Sequence, residues 1–248
     1  MPSSPLLAVR ALLFNLYFYL WTALLCVVGL PALPFLSDRG VQAYARFWMR
    51  GIHAGLRVLV GLTYEVRGAE RLPGTPAIIA SKHQSAWETL TLHMLVPDLA
   101  VGLKYELTRI PLLGWYFVKG GAIRIDRGGA ARALRSLVEG GRRAAGRGFS
   151  ILIFPEGTRR APDDPPDYKP GVAALYEGLR LPVVPVALNS GLFWGRRSFL
   201  KRPGRVVVEF QEPIPPGLGR RQLMAELERR TEAATARLVA DGRERYGG

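Results

Sequence analysis

From Ala11 to Ser37 the chain carries no charged residue. As a helix, Ala11 to Leu30 would reach roughly 30 Å, about the depth of a bilayer's hydrocarbon core. No other feature restricts the fold as much, because such a segment must be covered by protein or by lipid. A signal peptide fits poorly. The preceding residues offer only Arg10, the apolar run is too long, and no A-x-A cleavage site follows. Leu24-Leu25 before Cys26 do not form a lipoprotein processing site. Asn15, Tyr17, Tyr19, Trp21 and Thr22 make the run less oily than a simple anchor. A full span, a half-buried helical hairpin and a buried helix of a soluble domain are the three readings, and membrane attachment by either of the first two is the expectation.

Past Pro31 and Pro34, Gly40 to Leu62 sets Arg46, Arg50 and Arg57 among Tyr44, Phe47, Trp48, Ile52, Leu56 and Leu59. Spacings of three and four predict an amphipathic basic helix lying on an anionic membrane surface. The same pattern fits a helix packed on the main domain with a solvated Arg face. Basic residues on this side of the apolar run place the rest of the chain on the cytoplasmic side. The whole sequence has 34 basic against 20 acidic residues, a net charge of +14, which suits an anionic partner. Nucleic acid is not the expected partner class: the basic residues are scattered and no helix-turn-helix or RNA-binding signature is present. Cys26, the single cysteine, excludes an intrachain disulfide and a cysteine-rich zinc site.

At 248 residues the chain can hold one sizeable core plus an appendage. Beyond residue 62, β-type runs alternate with helical ones. Strands are expected at Tyr64–Arg67, Ala77–Ser81, Ala100–Leu103, Ala122–Ile125, Ser150–Phe154, Val183–Leu188 and Arg205–Phe210. Helices are expected at Trp87–Leu95, Ala130–Ala145, Val172–Leu179 and Arg220–Ala240. The alternation predicts an α/β fold: a mixed sheet of about seven strands flanked by helices, with ligands outside the strand ends. Residues 1–62 would then be membrane-anchoring helices and 63–248 the catalytic domain. Pro162, Asp163, Asp164, Pro165 and Pro166 mark a loop between residues 160 and 170.

Two segments carry chemistry. In His83-Gln84-Ser85-Ala86-Trp87-Glu88 a histidine precedes a helix and a carboxylate follows it. Ser85-x-x-Glu88 is also a capping box, with Ser85 as the cap and Glu88 reaching back to it, which accounts for Glu88 without catalysis. The same geometry lets a first-turn Glu88 fold toward the His83 ring, selecting the tautomer whose other nitrogen is a free base. The second segment, Phe154-Pro155-Glu156-Gly157-Thr158-Arg159, follows an apolar strand. Gly157 permits close backbone approach, Thr158 can donate, and Arg159 can fork onto phosphate oxygens. An ordinary tight turn with an exposed Arg fits it too. Between the two, Lys104 and Arg127 flank an apolar stretch, Ile110 to Phe117, an arrangement suited to a ligand with a charged head and a chain. A core helix explains that stretch equally well.

Together these segments resemble the glycerophospholipid acyltransferase family, in particular its bacterial 1-acylglycerol-3-phosphate acyltransferases. The family pattern is H-x-x-x-x-D, a K-x-E-L … G-x-I-x-I-D-R block, F-P-E-G-T-R and a V-P-V-A strand. His83 stands in the first. Lys104-Tyr105-Glu106-Leu107 and Ile123-Arg124-Ile125-Asp126-Arg127 stand in the second, Phe154 to Arg159 in the third, and Val184-Pro185-Val186-Ala187 in the fourth. Glu88 replaces the usual Asp. Its extra methylene keeps the charge and displaces the carboxylate by about one bond length.

The resemblance implies acyl transfer from a thioester, acyl-CoA or acyl carrier protein, to the free hydroxyl of lysophosphatidic acid, giving phosphatidic acid. His83 would be the general base and Glu88 its orienting partner. Arg159 would hold the phosphate with Lys104 and Arg127, rather than Arg124, and Glu156 and Gly157 would shape the acceptor site. No metal or resident cofactor is implied, and the expected location is the phospholipid surface of a bacterial inner membrane. Another lysolipid, such as a lyso-amino-lipid, fits the same motifs. A non-catalytic membrane lipid-binding protein is the reading in which Glu88 is only a cap.

Overall fold

The computed structural model describes residues 5–125 and 128–247, apart from the side chain of Lys104. Its centre is a seven-stranded sheet in the order β1-β7-β6-β2-β5-β3-β4. The strands are β1 (Leu62–Arg67), β2 (Ile78–Ser81), β3 (Leu99–Lys104), β4 (Ile123–Ile125), β5 (Ser150–Ile153), β6 (Val183–Leu188) and β7 (Gly204–Phe210). All neighbouring pairs are parallel except β6 with β7, so the sheet is mixed. Every residue of β2 and of β6 is buried, as expected of strands covered on both faces.

Around the sheet lie α1 (Pro5–Val28), α2 (Asp38–Gly55), α3 (Trp87–Leu95), α4 (Leu113–Lys119), α5 (Ala130–Gly146), α6 (Gly171–Leu179) and α7 (Arg220–Tyr246). Side-chain alternation along the strands divides the core in two. Ile79, Val101, Leu152, Val184 and Val208 pack toward α1, α2 and α3. Ile78, Ala80, Ala100, Ile151 and Val183 pack toward α5, α6 and α7.

Residue 62 is where the sheet begins, but no separate core lies before it. Phe14, Ile52, Leu56 and Val60 are fully buried in the same cluster as the strands. α2 therefore turns Val41, Met49 and Ile52 to the core. Its Gln42 bridges the carbonyls of Leu99 and Gly120, and Phe47, Arg50 and Arg57 are left exposed. α1 lies along α2, held by Tyr17 Oη donating to the Gly51 carbonyl at 2.9 Å and Trp21 Nε1 to that of Trp48 at 3.0 Å. Glycine at 51 and 55 is what permits the approach, since a Cβ at either would fall 2.4 Å from the Trp21 or Tyr17 ring. By length and composition α1 could cross a membrane. One side of it is packed on protein, and Leu6, Leu13, Leu16, Leu20, Leu24 and Val27 are exposed along the other.

Because β2, β5 and β6 run parallel and adjacent, the loops leaving their carboxyl ends meet at one edge of the sheet. Those loops carry His83, the Phe154–Arg159 segment and Ser190.

Candidate active site

His83 stands two residues beyond β2. Its Nδ1 lies 2.8 Å from Glu88 Oε1. Glu88 is completely buried, and the same oxygen accepts the backbone N–H groups of Gln84 at 2.8 Å and Ser85 at 2.7 Å. Glu88 Oε2 accepts the Ser190 hydroxyl at 2.8 Å. An ionised carboxylate only accepts, so the proton of the shared contact sits on Nδ1 and Nε2 is the free base. The two readings of Glu88 coexist: one carboxylate caps the turn and orients the ring. The cap geometry is offset from the expected box. Ser85 Oγ accepts from the Trp87 N–H at 3.1 Å, and α3 starts at Trp87 with Ala86 in the cap position. The imidazole is also clamped from one side, stacked on Phe154 with centroids 3.9 Å apart and planes 17° from parallel.

The second motif forms a turn closed by the Gly157 N–H donating to the Phe154 carbonyl at 2.9 Å. Gly157 has φ +66°, a left-handed value that glycine adopts at no steric cost. Gly157 and Thr158 are exposed and Arg159 is half-buried. The next residue fixes the turn to the histidine: the Arg160 N–H donates to the His83 carbonyl at 2.8 Å. Arg159 makes no ion pair with any described residue, and its guanidinium is available to an anion at the site.

Glu156 departs from the expectation that it shapes the acceptor site directly. It is 1% exposed and turned inward. Its Oε2 accepts the His83 backbone N–H at 3.0 Å, and its Oε1 pairs with Lys82 Nζ at 2.8 Å. Lys82 also bonds Glu232 of α7 at 2.8 and 3.0 Å, and the Tyr168 hydroxyl donates to Glu232 at 2.9 Å. Burial, reinforced by the Glu232 carboxylate, pushes the Tyr168 phenol well up, so it stays a donor. A buried lysine between two carboxylates, each with a further hydrogen bond, keeps these charges compensated. Lys82, directly before the histidine, could have been suspected as a charge ending a buried strand. Ser190, Tyr168 and Glu232 give no local signal.

The backbone of Lys104 ends β3 beside Ile125 of β4. Arg127 lies outside the described residues. Arg124 lines a separate open groove of about 640 Å³ with Arg109, Lys119 and Trp115. Beside α3 lies a smaller cavity of about 230 Å³, walled mostly by apolar groups, including Trp48, Met49, Leu90, Leu103 and Phe117. Thr89, next to Glu88, is also part of its wall.

The family model described as Acyltransferase matches residues 63–189. A 1-acyl-sn-glycerol-3-phosphate acyltransferase of Pseudomonas aeruginosa is 36% identical over 247 residues, 96% of this chain and 93% of that protein. The chain belongs to the acyltransferase family. Among other relatives of this acyltransferase, the enzyme of the same name from Limnanthes alba is 34% identical over 158 residues, 63% of this chain and 56% of that protein. The fold is that of the crystal structure of the 1-acyl-sn-glycerophosphate (LPA) acyltransferase, PlsC, from Thermotoga maritima. The TM-score is 0.77 at 24% identity, covering 93% of this chain and 96% of the other.

Proposed function

We infer that this acyltransferase moves a fatty acyl group from a thioester to the free hydroxyl of 1-acylglycerol 3-phosphate, giving phosphatidic acid. The observation that carries the reading is the oriented His83–Glu88 pair, held 2.8 Å apart beside the turn that presents Arg159. The names of the relatives supply the acceptor.

In this reading His83 Nε2 takes the proton of the acceptor hydroxyl as its oxygen bonds to the thioester carbonyl carbon. The imidazolium is stabilised by Glu88. The tetrahedral intermediate then expels the sulfur, and the proton on His83 passes to the departing thiolate. General base catalysis of this kind contributes about 10²–10⁴-fold. Arg159 holds the acceptor phosphate, with Lys104 and Arg127 as its partners, and Gly157 and Thr158 offer backbone and hydroxyl donors. Acyl-CoA or acyl carrier protein is consumed as co-substrate, and the chemistry requires neither a metal nor a resident cofactor. The cavity beside α3 suits the acyl chain, where each buried methylene contributes about 0.8 kcal/mol.

The apolar outer side of α1 supports a monotopic attachment, with that side immersed in one leaflet and the other packed on the domain. The membrane assigned to it is the bacterial inner membrane, with the catalytic edge on the cytoplasmic face.

The test is an acceptor panel: radiolabelled acyl-CoA, and in parallel acylated acyl carrier protein, offered with lysophosphatidic acid, glycerol 3-phosphate, lysophosphatidylcholine and a lyso-amino-lipid. Labelled phosphatidic acid as the dominant product is expected. Preference for a different acceptor would replace the assigned substrate, and no transfer to any acceptor, under either donor, would remove the catalytic reading.

A further inference from the structure

We propose that Ser190 is a positioning residue for the acyl transfer, holding the carboxylate that holds the base. The proposal rests on His83 acting as that base. Ser190 lies just past β6, outside the matched residues 63–189, and is completely buried. Its hydroxyl donates to Glu88 Oε2 at 2.8 Å across 102 residues of sequence.

The division of labour between the two carboxylate oxygens gives this bond its importance. Oε1 takes all its donors from His83, Gln84 and Ser85, which belong to the turn leading into the carboxylate's own helix. Those bonds fix the local shape, but the turn could shift as a body without breaking them. Among the described residues, Ser190 supplies the one hydrogen bond that ties the carboxylate to a different strand. Beside the Arg160 N–H on the His83 carbonyl and the Phe154 ring on the imidazole, two long-range hydrogen bonds run through carboxylates. Glu156, after β5, holds the His83 backbone N–H at 3.0 Å. Ser190, after β6, holds the ring's partner. A second clasp keeps Ser190 in register, the Gly191 N–H donating to Gln84 Oε1 at 3.0 Å. Ser190 also opens a short 3₁₀ turn, its carbonyl accepting from Phe193 and Trp194 at 3.1 and 2.9 Å.

Removing the hydroxyl has two consequences. The carboxylate loses its outer restraint, so the fraction of time Nε2 is aligned with the acceptor falls, and kcat falls with it. The negative charge withdrawn from Oε2 by the hydroxyl returns to Oε1, which then attracts the imidazolium proton more strongly. The acidic limb of the rate profile is therefore expected to move up. Among the described residues, the other charged groups around this turn are Glu156, Lys82 and Glu232 behind the His83 backbone, Arg159 of the neighbouring turn, and Arg160 paired with Asp167. The substitution leaves them in place.

The experiment measures kcat, both KM values, the pH–rate profile and Tm for Ser190→Ala, Ser190→Thr, His83→Ala and Val208→Ala, all well below the lowest Tm. Val208 is a buried core residue of β7 and controls for lost stability alone. In metal sites, partners that orient a ligating histidine are worth roughly 10- to 100-fold, and the same order is expected for this metal-free pair. Ser190→Ala is expected to lose at least about tenfold in kcat with both KM values little changed, its acidic limb displaced upward. Ser190→Thr restores much of the rate, and Val208→Ala leaves the limb where it is. Parental kcat and an unmoved limb in Ser190→Ala would overturn the proposal, as would an equal displacement in Val208→Ala. If His83→Ala is inactive while Ser190→Ala is parental, only the role of Ser190 falls. If His83→Ala keeps its activity, the base assignment falls with it.

Discussion

Replacing Glu88 with glutamine separates the two tasks of that side chain. The backbone N–H groups of Gln84 and Ser85 lie 2.8 and 2.7 Å from Oε1, so they require an oxygen at that position. A glutamine would place its carbonyl there and its amide beside Ser190 Oγ, whose hydroxyl can turn and accept. All four contacts survive in Glu88→Gln, and so does the tautomer, because the carbonyl still accepts from Nδ1–H. Lost is the charge. Hydrogen bonds to a charged group contribute about 1.5–3 kcal/mol and neutral ones about 0.5–1.5, while removing a buried charge relieves its desolvation. The net stability change should therefore be small, within about 1–2 kcal/mol. In the transition state the imidazolium loses its buried counter-charge at 2.8 Å. Breaking such a pair costs about 3–5 kcal/mol, and a retained neutral hydrogen bond of about 1 kcal/mol leaves about 2–4. That corresponds to a rate loss of roughly 30- to 10³-fold. Thiol release from acyl-CoA in the presence of lysophosphatidic acid, read beside Tm, gives both numbers. A folded Glu88→Gln enzyme within about tenfold of the parent would refute the argument and leave Glu88 as a cap alone.

Arg159→Ala, which removes a cation that pairs with no described residue, should raise the acceptor's KM roughly 10- to 150-fold, with a much smaller effect on the donor's. Steady-state kinetics with each substrate varied decide it, equal effects on both counting against a phosphate role. Lys82→Met leaves the buried Glu156 and the half-buried Glu232 without their shared cation, at a cost of about 3–5 kcal/mol in denaturant unfolding. Adding Glu156→Gln should recover part of that loss, and a double variant no more stable than the single one would contradict this. His53, against Tyr64 and Trp87, is lowered by burial from 6.5 to about 4 and is neutral in the fold. Below pH 6.5 the unfolded chain binds a proton that the folded one refuses. Stability is complete above that value and falls by about 3 kcal/mol as pH drops toward 4. The Tm of His53→Gln should be correspondingly flatter than the parent's across that range, and parallel curves would refute the assignment.

What could be read from residues in order was whatever depends on neighbours in order. The apolar runs that became β2, β5 and β6 announce themselves because a strand covered on both faces needs an unbroken hydrophobic segment. The contact of His83 with Glu88 was legible for the same reason, since a helix start folds a first-turn carboxylate back onto the residues before it. The turn of Phe154 to Arg159 was visible as a glycine-bearing turn, but the direction of each side chain was not. Glu156 sits in the motif beside Arg159, yet it points into the protein, and only the position of Lys82 and the His83 backbone explains why.

Sequence by itself determined the α/β pattern, the long uncharged N-terminal helix, the pairing of His83 with Glu88, and the glycine-bearing turn that follows β5. Tertiary structure decided that the helices before residue 62 share the sheet's core, because Phe14, Ile52 and Leu56 find their partners on strands far along the chain. It decided the antiparallel placement of β7 against β6, which the strand's own sequence does not encode. It also brought Ser190 to Glu88 and Glu232 to Lys82. The separations are 102 and 150 residues, and closing loops of that length is rewarded only by the collapsed sheet that brings their ends together.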